Sequence, residues 1–427
     1  MTGSFIYNAA LTLSAPAIIP YMALRSVFKP AYRDGLAQKL GFNMPERGAN
    51  CVWIHVVSVG EVMAAEPLVR AIRAKAPALA VTVTVTTPTG MEVARKRLSG
   101  VARLLYFPFD FPWAARRAVT AINPSVYVMI DTEIWPNVMS LCAQAGARVV
   151  LANGRISDRS YPRYQKMKWL FGPVLKNADL LLMQDAQDAQ RITGLGADPA
   201  RVAVAGNLKF DGLPGPLPAN ERASLRASIG IGTDEKVVLL GSVHAGEEAA
   251  IRAFVRARGQ TGPARLIIAP RRIEDITWIE KALKGSGLTA VRKSGMATPP
   301  LVDPSVVTVV DTFGELSRLY AVADVAFVGG SLIRRGGQNP LEPAAHGSPV
   351  VFGPDMRNFR DVSATLLKAG AAVMADSERE LVEIFTQLLT DEDARDKMGS
   401  AGLDVINRNR GVADAMAERI LGLADVL

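Results

Sequence analysis

A chain of 427 residues is too long for one ordinary hydrophobic core, and its net charge of +8 favours anionic partners, whether nucleic acid, phosphorylated ligands or a membrane surface. A hydrophobic content of 49% with 21% charged residues excludes a disordered chain. The two cysteines, Cys51 and Cys142, show no CxxC spacing, and His55, His244 and His346 are scattered, which excludes a disulfide framework and the common zinc motifs.

Residues 1–24 carry no charged side chain, and Arg25, Lys29, Arg33 and Lys39 follow. The run is long enough to cross a bilayer, although Asn8, Pro16 and Pro20 weaken it as a helix. Its charges lie after the apolar stretch, which disfavours a signal peptide and places the bulk of the protein on the cytoplasmic side of a membrane. A helix that rests on the membrane without crossing it is the alternative.

From residue 51 onward, short β-rich runs alternate with helical stretches. CVWIHVVSV, AVTVTVTT, SVYVMI, ARVVLAN, LLLMQ and VAVAG read as strands, with EVMAAEPLVRAIRAK and GMEVARKRL as helices between them. Such alternation predicts a parallel sheet covered on both faces. In SVGE (58–61) a carboxylate, Glu61, stands where the first strand gives way to a helix. That position suits a helix-start residue, and it equally suits a general base at a strand end.

The alternation stops at 206–224, a Gly- and Pro-rich stretch that reads as a linker. It restarts with KVVLLGS, ARLIIAP, SVVTVVD, DVAFVGG and SPVVFGP, so the chain reads as two doubly wound α/β domains in series. Ligands of open α/β sheets bind beyond the carboxyl ends of the strands, and the cleft between two such domains is the expected active site.

Candidate motifs of the second half fall at strand ends. GSVHAGEE (241–248) is a small-residue loop opening a helix, either a capped turn or a phosphate loop; neither GxxxxGK[ST] nor GxGxxG occurs. Arg271 and Arg272 follow a strand, as a phosphate fork or as a solvated pair. In 324–354, Gly329-Gly330-Ser331 ends a strand, an IRRGG loop follows, and Asn339-Pro340-Leu341-Glu342 opens a helix. Asn339 and Pro340 suit the cap and first turn, while Glu342 either completes a capping box or accepts hydrogen bonds from ribose hydroxyls.

These motifs in this order resemble the 3-deoxy-D-manno-octulosonic acid (Kdo) transferase family. The similarity is carried by SVGE (58–61), DTEIWPN (131–137), NGRISDRSYPRY (153–164), GNLKFD (206–211), GSVHAGEE, APR (269–271), DTFGEL (311–316) and 327–354, and it extends to AYRDGLAQKLGF (31–42). The resemblance implies a GT-B architecture, with two doubly wound Rossmann-like domains facing a central cleft and an N-terminal membrane-anchoring helix. The corresponding segments are 1–28 for the anchor, 29–212 for an acceptor domain and 213–427 for a CMP-sugar domain, with the last helix able to pack back on the first. It also implies inverting transfer of Kdo from CMP-Kdo to the glucosamine disaccharide of a lipid A precursor. The expected location is the cytoplasmic face of the inner membrane, with no cofactor, no metal and no nucleic acid involved.

By the same resemblance Glu61 is the general base, and Ser242, Arg271, Gly329, Gly330, Ser331, Asn339 and Glu342 hold the donor. Acceptor or second-rank candidates are Asp131, Glu133, Arg155, Arg159, His244 and Gly314, the last in the loop after Asp311 that approaches the cytosine. Glu133 otherwise reads as a helix N-terminal carboxylate, and Arg163, Lys166 and Lys168 as a solvated helix face. Arg272 departs from the family, which usually has His there. The competing readings are a GT-B enzyme using a UDP-sugar, a UDP-sugar epimerase, or a non-catalytic nucleotide-sugar-binding protein.

Overall fold

The computed structural model describes residues 2–28, 32–274, 276–297, 300 and 302–424; Lys29 of the positive flank and Ala31 of the AYRDG segment lie outside the described residues. The chain divides into two compact units. Unit 1 comprises Met1–Gly212 together with Asn409–Leu427, and unit 2 comprises Leu213–Arg408.

Unit 1 is built on seven parallel strands, β1 (Cys51–Val56), β2 (Ala80–Val85), β3 (Arg103–Tyr106), β4 (Pro124–Ile130), β5 (Arg148–Gly154), β6 (Leu180–Met183) and β7 (Val202–Val204). Their order is β3-β2-β1-β4-β5-β6-β7, so the winding reverses between β1 and β4. Every residue of β1 is buried, as a strand covered by helices on both faces requires. Val52, Ile54 and Val56 pack on one side, and Cys51 and Trp53 pack with Tyr127 and Met129 on the other.

Unit 2 repeats the plan with β8 (Lys236–Val243), β9 (Ala264–Pro270), β10 (Thr289–Arg292), β11 (Val306–Val309), β12 (Val325–Val328), β13 (Val350–Phe352) and β14 (Ala372–Met374). The order β10-β11-β9-β8-β12-β13-β14 reverses between β8 and β12. Three strands were not legible in the sequence, namely β3, β10 and β14. All three are sheet edges of three or four residues with partly exposed side chains, so they lack the continuous apolar run that marks a buried strand.

The 206–224 stretch is less slack than its composition predicts. Leu208 and Phe210 are buried in unit 1, and Ala219–Ser228 is helical. Asp211 accepts the N–H groups of Gly411 and Ala413, both at 2.6 Å, and so caps the final helix Val412–Leu423, whose Met416, Ala417, Ile420 and Leu421 join the core of unit 1. Asp211→Ala is expected to lower the stability of unit 1 by about 1–2 kcal/mol, read from urea unfolding followed by a unit 1 tryptophan.

At the amino end, Thr2–Phe28 is one continuous helix despite Pro16 and Pro20, and Ser4–Phe28 is long and apolar enough to cross a membrane.

Candidate active site

At the reversal point of unit 1, the chain leaves β1 and enters the helix Val59–Lys75 through Ser58. Ser58 Oγ accepts the Glu61 N–H at 3.4 Å and donates to Glu61 Oε1 at 2.9 Å, while the Val57 N–H donates to Oε2 at 2.7 Å. This is capping-box chemistry, and such hydrogen bonds ordinarily hold a carboxyl low. Here burial outweighs them and pushes Glu61 up to about 7, assisted by the negative charge of Asp131 and opposed also by Lys209. A carboxylate of that basicity takes a proton near neutral pH far better than an ordinary glutamate does.

Across the reversal, Asp131 follows β4 in the left-handed region (φ 56). Its Oδ1 accepts Asn153 Nδ2 at 2.6 Å, and Asn153, itself left-handed (φ 59) and fully buried, accepts the Leu208 N–H at 2.9 Å. Two non-glycine residues in this conformation on adjoining strand ends are strain of the kind that accumulates at functional sites. Burial raises Asp131, against Lys209, Asn153 and Arg155. Three separated motifs (DTE, NGR and GNLKFD) thus meet at one point.

Glu133 does not start a helix. The next helix begins at Pro136, so the dipole is not its stabiliser, and burial pushes its carboxyl up to about 7, with the charges of Glu61 and Asp131 adding to the rise. Arg155 is tied in through its backbone, which bonds the Thr132 hydroxyl, and its charge acts on Asp131. Arg159 is exposed on the following loop and is not brought into this cluster by any described contact. Arg163, Lys166 and Lys168 line an exposed or half-exposed helical stretch beyond it.

In unit 2 the reversal point gathers the loops after β8 and β12. Gly329 N–H donates to the Gly241 carbonyl at 2.8 Å, and a Cβ on Gly329 would come within 2.5 Å of the Ser242 carbonyl, so only glycine fits. Ser242 is half-buried and left-handed (φ 55). Burial lowers the His244 imidazole, and the guanidinium charges of Arg335, Arg271 and Arg272 lower it further, which locates three arginines around one strand end. Both Arg271 and Arg272 have exposed side chains, so the departure at 272 keeps positive charge at this place.

Ser331 is wholly buried. Its hydroxyl donates to the Val328 carbonyl at 2.6 Å and accepts the Gly353 N–H at 2.8 Å, so the side chain shapes the loop from within. The helix starts at Leu341 with Pro340 in the cap position, one residue later than expected; Asn339 Oδ1 still accepts the Leu341 N–H at 3.1 Å, and its amide donates to Glu342 Oε1 at 3.2 Å. Glu342 is half-buried and close enough to Tyr320 to act on it electrostatically. Gly314 lies at a left-handed turn (φ 84) open to solvent, beside Phe313, which is 83% exposed.

Three further residues build these sites. Glu247, fully buried, accepts the N–H groups of Gly330 (2.7 Å), His244 (2.9 Å), Ser331 (3.1 Å) and Leu332 (3.1 Å) and so pins the β12 loop to the β8 loop. Lys209 is the positive charge common to Glu61 and Asp131. Arg335 belongs to the arginine group around His244. In the sequence each is marked only by lying within GSVHAGEE, GNLKFD or 327–354. A cavity of about 850 Å³ opens at the opposite, amino end of the unit 2 sheet beside Asp324, Lys236 and Pro349, and none of the candidate donor residues lines it.

Comparison with known proteins bears on the family and the fold. The profile of the 3-deoxy-D-manno-octulosonic-acid transferase (kdotransferase) family matches residues 34–212. Over 425 residues the chain is 32% identical to the 3-deoxy-D-manno-octulosonic acid transferase of Haemophilus influenzae, covering 97% of both chains. It is 34% identical over 423 residues to that of Bordetella pertussis, covering 93% of this chain and 94% of the other. In fold it is similar to UDP-GlcNAc 2-epimerase from Neisseria meningitidis bound to UDP-GlcNAc, with a TM-score of 0.59 at 12% identity over 88% of this chain and 99% of that one. The architecture is that of GT-B proteins, and the chain belongs to the 3-deoxy-D-manno-octulosonic acid transferase family of glycosyltransferases.

Proposed function

We propose that this transferase moves Kdo from CMP-Kdo onto a hydroxyl of the glucosamine disaccharide of a lipid A precursor (lipid IVA), at the cytoplasmic face of the inner membrane. The observation that carries the reading is the buried carboxylate group at the reversal point of unit 1, where Glu61 is held near a pKa of 7. In the reaction the acceptor oxygen attacks the anomeric carbon of Kdo, the bond from that carbon to the phosphate oxygen breaks, and CMP leaves with the electron pair. The hydroxyl proton passes to Glu61. A single base and a direct displacement invert the anomeric centre, with no covalent sugar intermediate.

Unit 2 serves the donor. Arg271, with Arg335 and Arg272, supplies positive charge for the phosphate, whose negative charge grows as CMP departs. Ser242 and the Gly329-Gly330 turn line the donor site, and Glu342, oriented by Asn339, accepts hydrogen bonds from the ribose hydroxyls. Asp131 and Glu133 surround the base, and Arg155 meets an acceptor phosphate.

Mass spectrometry of the product formed from CMP-Kdo and lipid IVA tests the assignment, with an added Kdo mass as the expected result. In a thermal melt CMP should protect the protein; protection by UDP alone would refute the donor. The pH dependence is equally specific. Glu61 must be ionised to act, and it shares its site with Glu133, so the pair titrates together. The acidic limb of kcat/KM is expected near pH 7, not near the ordinary glutamate value of 4.5. Asp131→Asn removes a negative neighbour and should move the limb to lower pH.

A further inference from the structure

The N-terminal helix is apolar nearly all round, yet only 6% of its most apolar window is buried in the protein. Much of what it buries lies on one stripe, with Ala9, Ser14, Met22, Arg25 and Ser26 half-buried besides. Tyr7, Asn8, Leu11, Ala15 and Ile19 recur at close to four-residue intervals and face unit 1. Tyr7 donates its hydroxyl to Asp110 Oδ2 at 2.9 Å, and Asn137 Nδ2 donates to Asn8 Oδ1 at 2.6 Å. Asp110 is 4% exposed and also accepts the N–H groups of Asn137 and Val138, both at 2.9 Å, so the clamp reaches the capped start of the helix Pro136–Gln144. Further along, Ala15 is buried against Phe111 and Ala114, with Leu11 and Ile19 beside them.

The opposite face has no protein partner among the described residues. Leu13, Val27 and Phe28 are 81%, 73% and 76% exposed. The helix also packs against Lys168–Leu175, whose Trp169 is half exposed and which follows the basic stretch containing Arg163 and Lys166. An apolar face bordered by an exposed tryptophan and by lysine and arginine matches the surface of an anionic bilayer.

We infer that this helix lies lengthwise in the membrane surface, clamped along unit 1 by Tyr7–Asp110 and Asn8–Asn137, and does not cross the bilayer. It rests on the membrane location proposed above and decides between the two arrangements that the sequence left open. A crossing helix needs about 20 residues to traverse about 30 Å of hydrocarbon. Within Ser4–Phe28 the clamp occupies Tyr7 to Ile19, and the remainder from Pro20 to Phe28 reaches only about 14 Å at 1.5 Å per residue. To cross, the helix would have to strip Tyr7 and Asn8 from their partners and carry them into hydrocarbon, where unpaired polar groups are costly. In the clamped state the protein covers one apolar face and acyl chains cover the other.

The test uses the full chain bound to vesicles of phosphatidylethanolamine with phosphatidylglycerol. Ser4→Cys and Ser26→Cys are labelled separately with a membrane-impermeant maleimide; the native Cys51 and Cys142 are buried and give the background. A helix lying on the surface leaves both positions on one side, so intact and detergent-opened vesicles give labelling rates within about twofold for each. A crossing helix puts them on opposite sides, and one of the two would then be labelled at least tenfold faster after opening, which would overturn the inference. Leu13→Asp places a charge in the acyl boundary and is expected to reduce co-flotation with vesicles at least tenfold, with CMP protection in a thermal melt unchanged. Unaltered flotation of this variant, or no flotation of the wild type, would equally overturn it. Neither readout measures sugar transfer, so failure here is separable from failure of the Kdo reading, which the product mass decides.

Discussion

Glu61→Gln is expected to slow sugar transfer by roughly 10²–10⁴-fold, the usual contribution of a general base, while CMP still protects the protein in a thermal melt. Glutamine keeps the size of the side chain and an acceptor oxygen for the Val57 N–H, so the start of the helix Val59–Lys75 is preserved. Only the capacity to take a proton is lost. Stability provides an internal control whose sign is fixed by the pKa shifts. Glu61 and Glu133 hold protons more tightly in the folded protein than in the unfolded chain, about 7 against 4.5. The folded state therefore loses stability as pH rises from about 4.5 to 7, because burial then bears on ionised carboxylates. Glu61→Gln removes one of these groups and is expected to melt higher than the wild type at pH 8, the difference fading toward pH 4.5. A variant that is inactive but at least as stable separates a chemical role from a structural one. Transfer at the wild-type rate would show that another group is the base.

Glu247→Ala is expected to be the most destabilising single change in unit 2. The carboxylate accepts four backbone N–H groups from two loops and has no solvent contact. Alanine leaves those donors buried without partners, each at a cost of about 1–3 kcal/mol before the loops relax. A net loss of about 3–5 kcal/mol is expected after relaxation, corresponding to a fall in melting temperature of roughly 6–20 °C at about 2–4 °C per kcal/mol. Calorimetry of the full chain checks the size, and CMP protection should be lost with it, since Gly330 and Ser331 are the residues that Glu247 holds. Glu247→Gln keeps one acceptor oxygen and should fall between the two. Little change in melting temperature would mean that the β8 and β12 loops hold their approach without this pin.

Much of this arrangement was legible in the sequence, for a physical reason. Strands such as β1, β8 and β12 are buried on both faces, so they read as unbroken apolar runs, and the residues at or beyond their carboxyl ends, Glu61, Ser242 and Gly329, stand out by contrast. The edge strands β3, β10 and β14 have no such run and were missed. Glu247 was visible only as one of two acidic residues near a helix start. Its neighbour Glu248 occupies the first turn of that helix, whereas Glu247 turns inward, and no local pattern distinguishes the two. Glu133 reads locally as a helix N-terminal carboxylate, but the helix starts only at Pro136 and what sets its protonation is burial beside Glu61 and Asp131.

By itself the sequence determined the two alternations of strand and helix, the glycines at close backbone approach, and the polar residues at the strand ends. All of these follow from short-range chemistry, namely apolar periodicity, capping and the steric limits of non-glycine residues. Only the tertiary structure decided which of those residues meet. Asp131, Asn153 and Leu208 are joined by hydrogen bonds across 22 and 55 positions of chain, Asp211 reaches 200 residues to cap the last helix and bring it into unit 1, and Tyr7 finds Asp110 103 residues away. Such partners are set by strand order and by which buried polar group needs satisfying, and neither is written in any window of neighbouring residues.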